Sequence, residues 1–158
     1  MALKRHLVDN GGTMDCYATA AAERGGMAFY ATGAFLPEMD ASTNIVSYPA
    51  TVSGRVPAGI LMHTVEAYDV TRVPKNEQNQ DIVAAPAKVY LLRDGEVVTN
   101  KVDPARLASI KPGKAYVTNS GLFTDSVPSS GGSVDVYGAK FLSGPSADGY
   151  VKVSIKMA

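Results

Sequence analysis

Side chains able to do covalent or metal chemistry are few in this 158-residue chain. Only His6 and His63 supply imidazole, and only Cys16 supplies a thiol. Nucleophilic catalysis needs a base within reach of its nucleophile. No Gly-x-Ser-x-Gly elbow is present, and His63 lies in the apolar run 59–65, where a structural role is expected of it. The histidines and the cysteine show neither His-x-x-x-His nor Cys-x-x-Cys spacing. Asp15 beside Cys16 is adjacency rather than a ligand set. Gly11-Gly12 and Gly131-Gly132 lack the Lys-Ser/Thr that completes a phosphate-binding loop, so they read as turns. Glu66 with Asp69 and Asp94 with Glu96 are the nearest carboxylate pairs, but glycoside hydrolysis needs two acids facing each other across a cleft. Asp94 reads as a turn residue and Glu96 as a solvated strand position. Tyr116 and Phe123 flank one hairpin without the interleaved Arg and Lys of a single-strand platform, and a cross-strand pair explains them. The expectation is no enzyme, no metal and no cofactor, which leaves a binding or structural role.

The elements that position these residues read as β. Val occurs 18 times and Leu 9, with 10 Thr, 15 Gly and 9 Pro. β-Branched side chains fit a pleated surface, and Gly and Pro punctuate turns. Strand-like runs at 88–92 and 96–100 flank Arg93-Asp94-Gly95, the strongest short hairpin signal in the chain. A second hairpin is predicted from 115–118 and 122–124 around Asn119-Ser120-Gly121, and a third from 134–142 and 150–156. In the last strand Val151, Val153 and Ile155 alternate with Lys152, Ser154 and Lys156, leaving one wet face. Ile45, Val46 and Val52 around Pro49 read as an edge or interrupted strand. Asp103 as N-cap and Pro104 at the first helical position predict a helical turn, stopped by Lys111-Pro112-Gly113. The polar stretch 75–81 and the Ser/Gly-rich stretch 127–133 read as exposed loops.

Roughly seven short strands at this spacing predict a mainly β fold, a small antiparallel β-barrel or sandwich. The first 50 residues keep neither a period of 2 nor one of 3.6. Residues 15–24 admit a short helix, with Asp15 as N-cap and Gly25 past its end, or an irregular N-terminal arm. The arm is favoured. The expected division is 1–43 as arm and first strands and 44–158 as the β-module, within one domain overall.

Charge narrows the partners. Fifteen Lys and Arg balance fifteen Asp and Glu, which argues against nucleic acid and against polybasic docking to a membrane. No apolar run approaches the ~18 residues of a transmembrane helix, nor is there a signal-peptide stretch at the N-terminus. One cysteine allows no intrachain disulfide and fits folding in a reducing cytosol. At this length about 70% of the unfolded surface can be buried without a staple.

A family resemblance rests on a succession of segments. They are Ala22-Glu-Arg-Gly-Gly-Met27, Gly59-Ile-Leu-Met-His-Thr-Val-Glu-Ala-Tyr-Asp-Val-Thr71 and Lys88-Val-Tyr-Leu-Leu-Arg-Asp-Gly-Glu-Val-Val-Thr-Asn100, then Gly113-Lys-Ala-Tyr116, Gly121, Gly138-Ala-Lys-Phe-Leu-Ser143 and Asp148-Gly-Tyr-Val-Lys-Val153. In that order and spacing the chain, from about residue 20 onward, resembles the head-decoration (capsid cement) proteins of tailed bacteriophages. The resemblance implies a β-barrel or β-tulip-like module on the outer surface of the virion head, made in the host bacterial cytoplasm. Its partners would be the major capsid protein and further copies of itself, a trimer favoured and a dimer possible. Clamping neighbouring subunits would stabilise the shell by multivalency. The N-terminal third would face the capsid, with Lys4, Arg5, Tyr17, Phe29 and Phe35 as anchors, since Arg and aromatics dominate interface hot spots. Phe29 and Phe35 equally fit a core, and Lys4 and Arg5 a solvated terminus. The alternatives are a phage tail or head-completion subunit, or a β-type glycan- or receptor-binding module in which Tyr137 and Tyr150 stack on sugars.

Overall fold

Residues 87–99 carry apolar side chains to both faces, with Val89 and Leu91 on one side and Leu92 on the other, so a strand there must be covered twice. The computed structural model describes residues 3–35, 44–66, 82–127 and 133–157. In chain order its strands are β1 (Leu3–Ala18), β2 (Met27–Phe35), β3 (Asn44–Ser47), β4 (Pro57–Leu61), β5 (Thr64–Glu66), β6 (Ile82–Ala84), β7 (Ala87–Thr99), β8 (Gly113–Thr118), β9 (Leu122–Thr124), β10 (Ser133–Phe141) and β11 (Val151–Lys156). No α-helix occurs among the described residues. The fold is mainly β, as the composition predicts.

The strands form one mixed sheet in the order β1-β3-β2-β4-β7-β11-β10-β8-β9, and β1 also pairs with β7. That extra pairing closes a ring, β1-β3-β2-β4-β7, from which β11, β10, β8 and β9 continue. The 13-residue strand β7 belongs to both parts. Along one edge β1 accompanies it from Thr99 to Ala87. Its other edge is shared, with β4 at Leu91 and Leu92 and β11 from Asp94 to Thr99. A separate parallel pair, β5-β6, is linked to the ring by the Ala22–Val65 bridge.

Two cores follow. The ring encloses a small one, to which each of its strands contributes small or medium residues: Cys16, Ala28, Val46, Ala58 and Leu61, and Leu91. Small side chains suit it, because a closed ring of so few strands leaves little interior room. The larger core lies on the opposite faces of β2, β4 and β7, where Phe29, Ile60 and Leu92 meet Phe123, Phe141 and Val153. Phe29, Phe123 and Phe141 are fully buried there, each worth about 1.5–3 kcal/mol of transfer free energy. Leu92 and Val97 face this core despite their odd separation. Gly12 pairs with Asp94 and Thr13 with Leu92, so Arg93 is the extra residue of a bulge that resets the alternation.

Several expectations hold. β8 and β9 form the hairpin around Asn119-Ser120-Gly121, with Ser120 at φ 60 and Gly121 at φ 73. β10 pairs antiparallel with β11, whose Val151, Val153 and Ile155 are buried. A helical turn does follow Asp103, but it is a single 3-10 turn at Leu107–Ser109 whose N-cap is Arg106 rather than Asp103. Asp103 Oδ1 instead accepts the Ala105 N–H at 3.0 Å in the turn before it. Residues 75–81 and most of 127–133 lie outside the described residues.

Three expectations are corrected. Asp94-Gly95 is no turn; both residues lie inside the continuous strand β7. The two flanking runs, instead of pairing with each other, find partners in β1, β4 and β11, and this non-local pairing outweighs a two-residue turn preference. The N-terminal arm is no irregular appendage either. Leu3–Ala18 is the longest strand of the sheet, held by β7 throughout and by β3 at Cys16–Ala18. The Ala-rich helix signal near it loses to burial of Cys16 and Ala18 inside the ring. Last, the sheet is not purely antiparallel: β1 and β3 run parallel, and β3 is flanked on both sides rather than at an edge.

Candidate functional site

The anchors expected at the N-terminus do not form one patch. Phe29 is wholly enclosed in the larger core, which removes it as a surface anchor. Tyr17 is half-buried near the end of β1, opposite Lys88 of β7 and Ile45 of β3. Lys4 pairs with Val98 at the other end of the same strand, about 40 Å away at strand rise. Arg5 lies in a bulge between Lys4 and Leu7. Phe35 ends β2 opposite Asn44. The side chains of Lys4, Arg5, His6, Phe35 and Tyr137 lie outside the described residues.

What the backbone does create is an edge. From Leu3 to Asp9, β1 pairs with β7 only, among the described residues; β3 joins it no earlier than Cys16. Two bulges interrupt the pairing, taking Arg5-His6 and Asn10-Gly11 out of the ladder. Bulges and charged residues are the usual means of keeping such an edge from indiscriminate pairing. An extended segment of suitable register can still add to it through main-chain hydrogen bonds.

A turn, residues 23–26, lies where the ring meets the second part of the sheet. Tyr48 Oη donates to the Glu23 carbonyl at 2.7 Å and accepts the Gly26 N–H at 3.0 Å. Thr99 Oγ1 donates to the Gly25 carbonyl at 2.9 Å, and Gly25 N–H donates to the Leu61 carbonyl at 2.8 Å. Lys101 closes the outside with an ion pair to Glu23. Gly25 adopts φ 101, a conformation that Gly reaches without a Cβ penalty. Burial pushes the Tyr48 phenol far up, only partly offset by the Gly26 N–H, so this hydroxyl stays protonated and able to donate. Sequence reading missed Tyr48, whose partners lie more than twenty positions away; the Gly25-Gly26 pair was the one visible trace.

Beside the turn opens a small apolar pocket of about 50 Å³, floored by Ala18, Ala28, Val46 and Leu61 and bordered by Tyr48. Among the described residues no charged side chain lines it. The residues with chemical potential remain apart. Cys16 is fully buried, and burial, then Asp15, push its thiol up to about 11, with Arg93 opposing. It is therefore a protonated core residue at neutral pH. His63 stacks edge-on against Tyr90, ring centroids 4.5 Å apart. Glu96 pairs with Lys152, and Asp94 sits within the β1–β7 ladder. Among the described residues no three His, Cys, Asp or Glu gather into a metal-binding group. No described helix is long and apolar enough to cross a membrane. What the arrangement offers is strand addition and surface contact. No family model matches the chain, and neither does any curated protein.

Proposed function

We propose that the chain is a virion structural protein that binds the outer surface of an icosahedral phage head and clamps neighbouring major capsid protein subunits. The observation that carries this reading is the β1 edge from Leu3 to Asp9, presented on a strand whose other half is locked into a closed ring. A rigid base with one available strand edge is suited to accept an extended segment of a shell protein. The ring is read as the β-barrel or tulip-like body of such a module, and Lys4 and Arg5 as contacts flanking the added strand.

The succession of strand segments from about residue 20 onward, which resembles head-decoration proteins, supports the same reading. So does the zero net charge, which gives the chain no electrostatic reason to bind the packaged DNA. As a homo-oligomer, a trimer by preference, several modest contacts act together, and a ligand of the assembled shell stabilises it by mass action. The test is co-sedimentation with expanded heads, followed by quantification of copies per particle. Hundreds of copies support decoration. Six or twelve indicate a tail or head-completion ring, and no association removes the reading.

A further inference from the structure

Met14 lies on β1, partly buried against the core of the ring. Its thioether receives two donors from different strands: Tyr30 Oη of β2 at 3.5 Å and Arg93 Nη1 of β7 at 3.9 Å. A thioether is a weak acceptor, so neither contact contributes much as it stands. Phenol and guanidinium are far better matched to an oxygen at the same place.

We propose that Met14 is a methionine-oxidation site whose sulfoxide the fold accommodates through Tyr30 and Arg93. The oxidant is hydrogen peroxide. A sulfur lone pair attacks one peroxide oxygen, and the O–O bond breaks. The departing hydroxide takes the proton of the transferred oxygen and leaves as water. Sulfur loses two electrons and peroxide gains them. Oxidation of a core methionine ordinarily disrupts packing, because a polar S=O is forced among apolar groups. Met27 and Met62, which sit in the larger core at 0% and 8% exposure, are of that kind. At Met14 the new oxygen finds two donors, one of them charged, and charge-assisted hydrogen bonds are about twice as strong as neutral ones. Because the donors come from β2 and β7, the modified residue ties three strands of the ring together.

The test uses the full chain. Brief peroxide treatment oxidises a fraction of the molecules, which are then heated to the unfolding midpoint and separated into soluble and aggregated material. The tryptic peptide 6–24 contains Met14 and no other methionine, so mass spectrometry with Cys16 alkylated reads this site alone. The expected result is Met14 sulfoxide enriched about twofold in the soluble fraction, an increment of the size one strengthened hydrogen bond gives. In Tyr30→Phe, which leaves the Arg93 donor in place, the enrichment is reduced. Depletion or an unchanged fraction in the wild-type chain overturns the proposal. So does failure of Met14 to oxidise in the folded chain under peroxide that oxidises it in urea. The wild-type result decides even if the variant does not fold.

Discussion

Removing one oxygen atom tests how the two parts of the sheet are joined. Tyr48→Phe keeps the ring that borders the pocket and deletes the hydroxyl that serves both Glu23 and Gly26. Glu23 is exposed, and its carbonyl turns to water at small cost. Gly26 is buried, and a buried N–H left without a partner costs about 1–3 kcal/mol. The sum is about 2 kcal/mol. In a domain of this length each kcal/mol moves the midpoint by about 2–4 °C, so the melting temperature should fall by about 4–8 °C. Thermal unfolding followed by circular dichroism measures this, and urea titration should show a lower midpoint at an unchanged slope. Tyr17→Phe is the control, a half-buried tyrosine expected to change stability by no more than about 0.5 kcal/mol. A Tyr48→Phe midpoint within about 1 °C of wild type would refute the claim that this hydroxyl holds the turn.

Two further predictions concern the ring and the hairpin. Cys16 should resist iodoacetamide in the folded chain at neutral pH and react promptly once urea unfolds it, since only the thiolate is nucleophilic. The raised thiol also sets a sign: the unfolded chain ionises near 9.0 and the folded chain near 11, so folding stability falls as pH rises between them. Cys16→Ala should flatten that slope at its lower end, below the range where tyrosines titrate. Gly121→Ala places a Cβ against the Met27 carbonyl at φ 73, a strained conformation costing about 1–3 kcal/mol. Its urea midpoint should drop, and an unchanged midpoint would contradict the turn geometry.

Local signals carried the local structure. Val151, Val153 and Ile155 alternate with polar neighbours, and β11 is buried on their face. Asn119-Ser120-Gly121 reads as a turn because Gly reaches positive φ without a Cβ penalty and Asn and Ser side chains hydrogen-bond nearby backbone, and it is one. Where partners are distant in sequence, the local signal misleads. Asp94-Gly95 has ideal turn chemistry, yet β1, β4 and β11 claim the flanking runs and draw them into one strand. The stretch 3–18 does not announce its pairing, because Arg5-His6 and Asn10-Gly11 drop out of the ladder with β7 and leave only short paired runs between them. The candidate site inherits that difficulty. An open edge is a property of what lies beside a strand, which no residue pattern in the strand itself records. Phe29 illustrates the converse: an aromatic near the N-terminus reads equally as anchor or core until β2 is seen facing the larger core.

The same geometry limits how the N-terminus can be probed. Deleting residues 1–26 would remove β1 and the Glu23–Gly26 turn, opening the ring and confounding loss of binding with loss of fold. Truncation must stop short of Gly12, where the strand enters the closed ring.

The most direct measurement is electron cryo-microscopy of the native particle, paired with particles assembled in the presence of the chain lacking residues 1–9. The account predicts density for the β-module on the outer surface of the head, with a shell-protein strand running beside β1 at residues 3–9. The truncated chain should leave that position empty. Density in the tail, at the portal or inside the head would contradict it, as would full occupancy by the truncated chain.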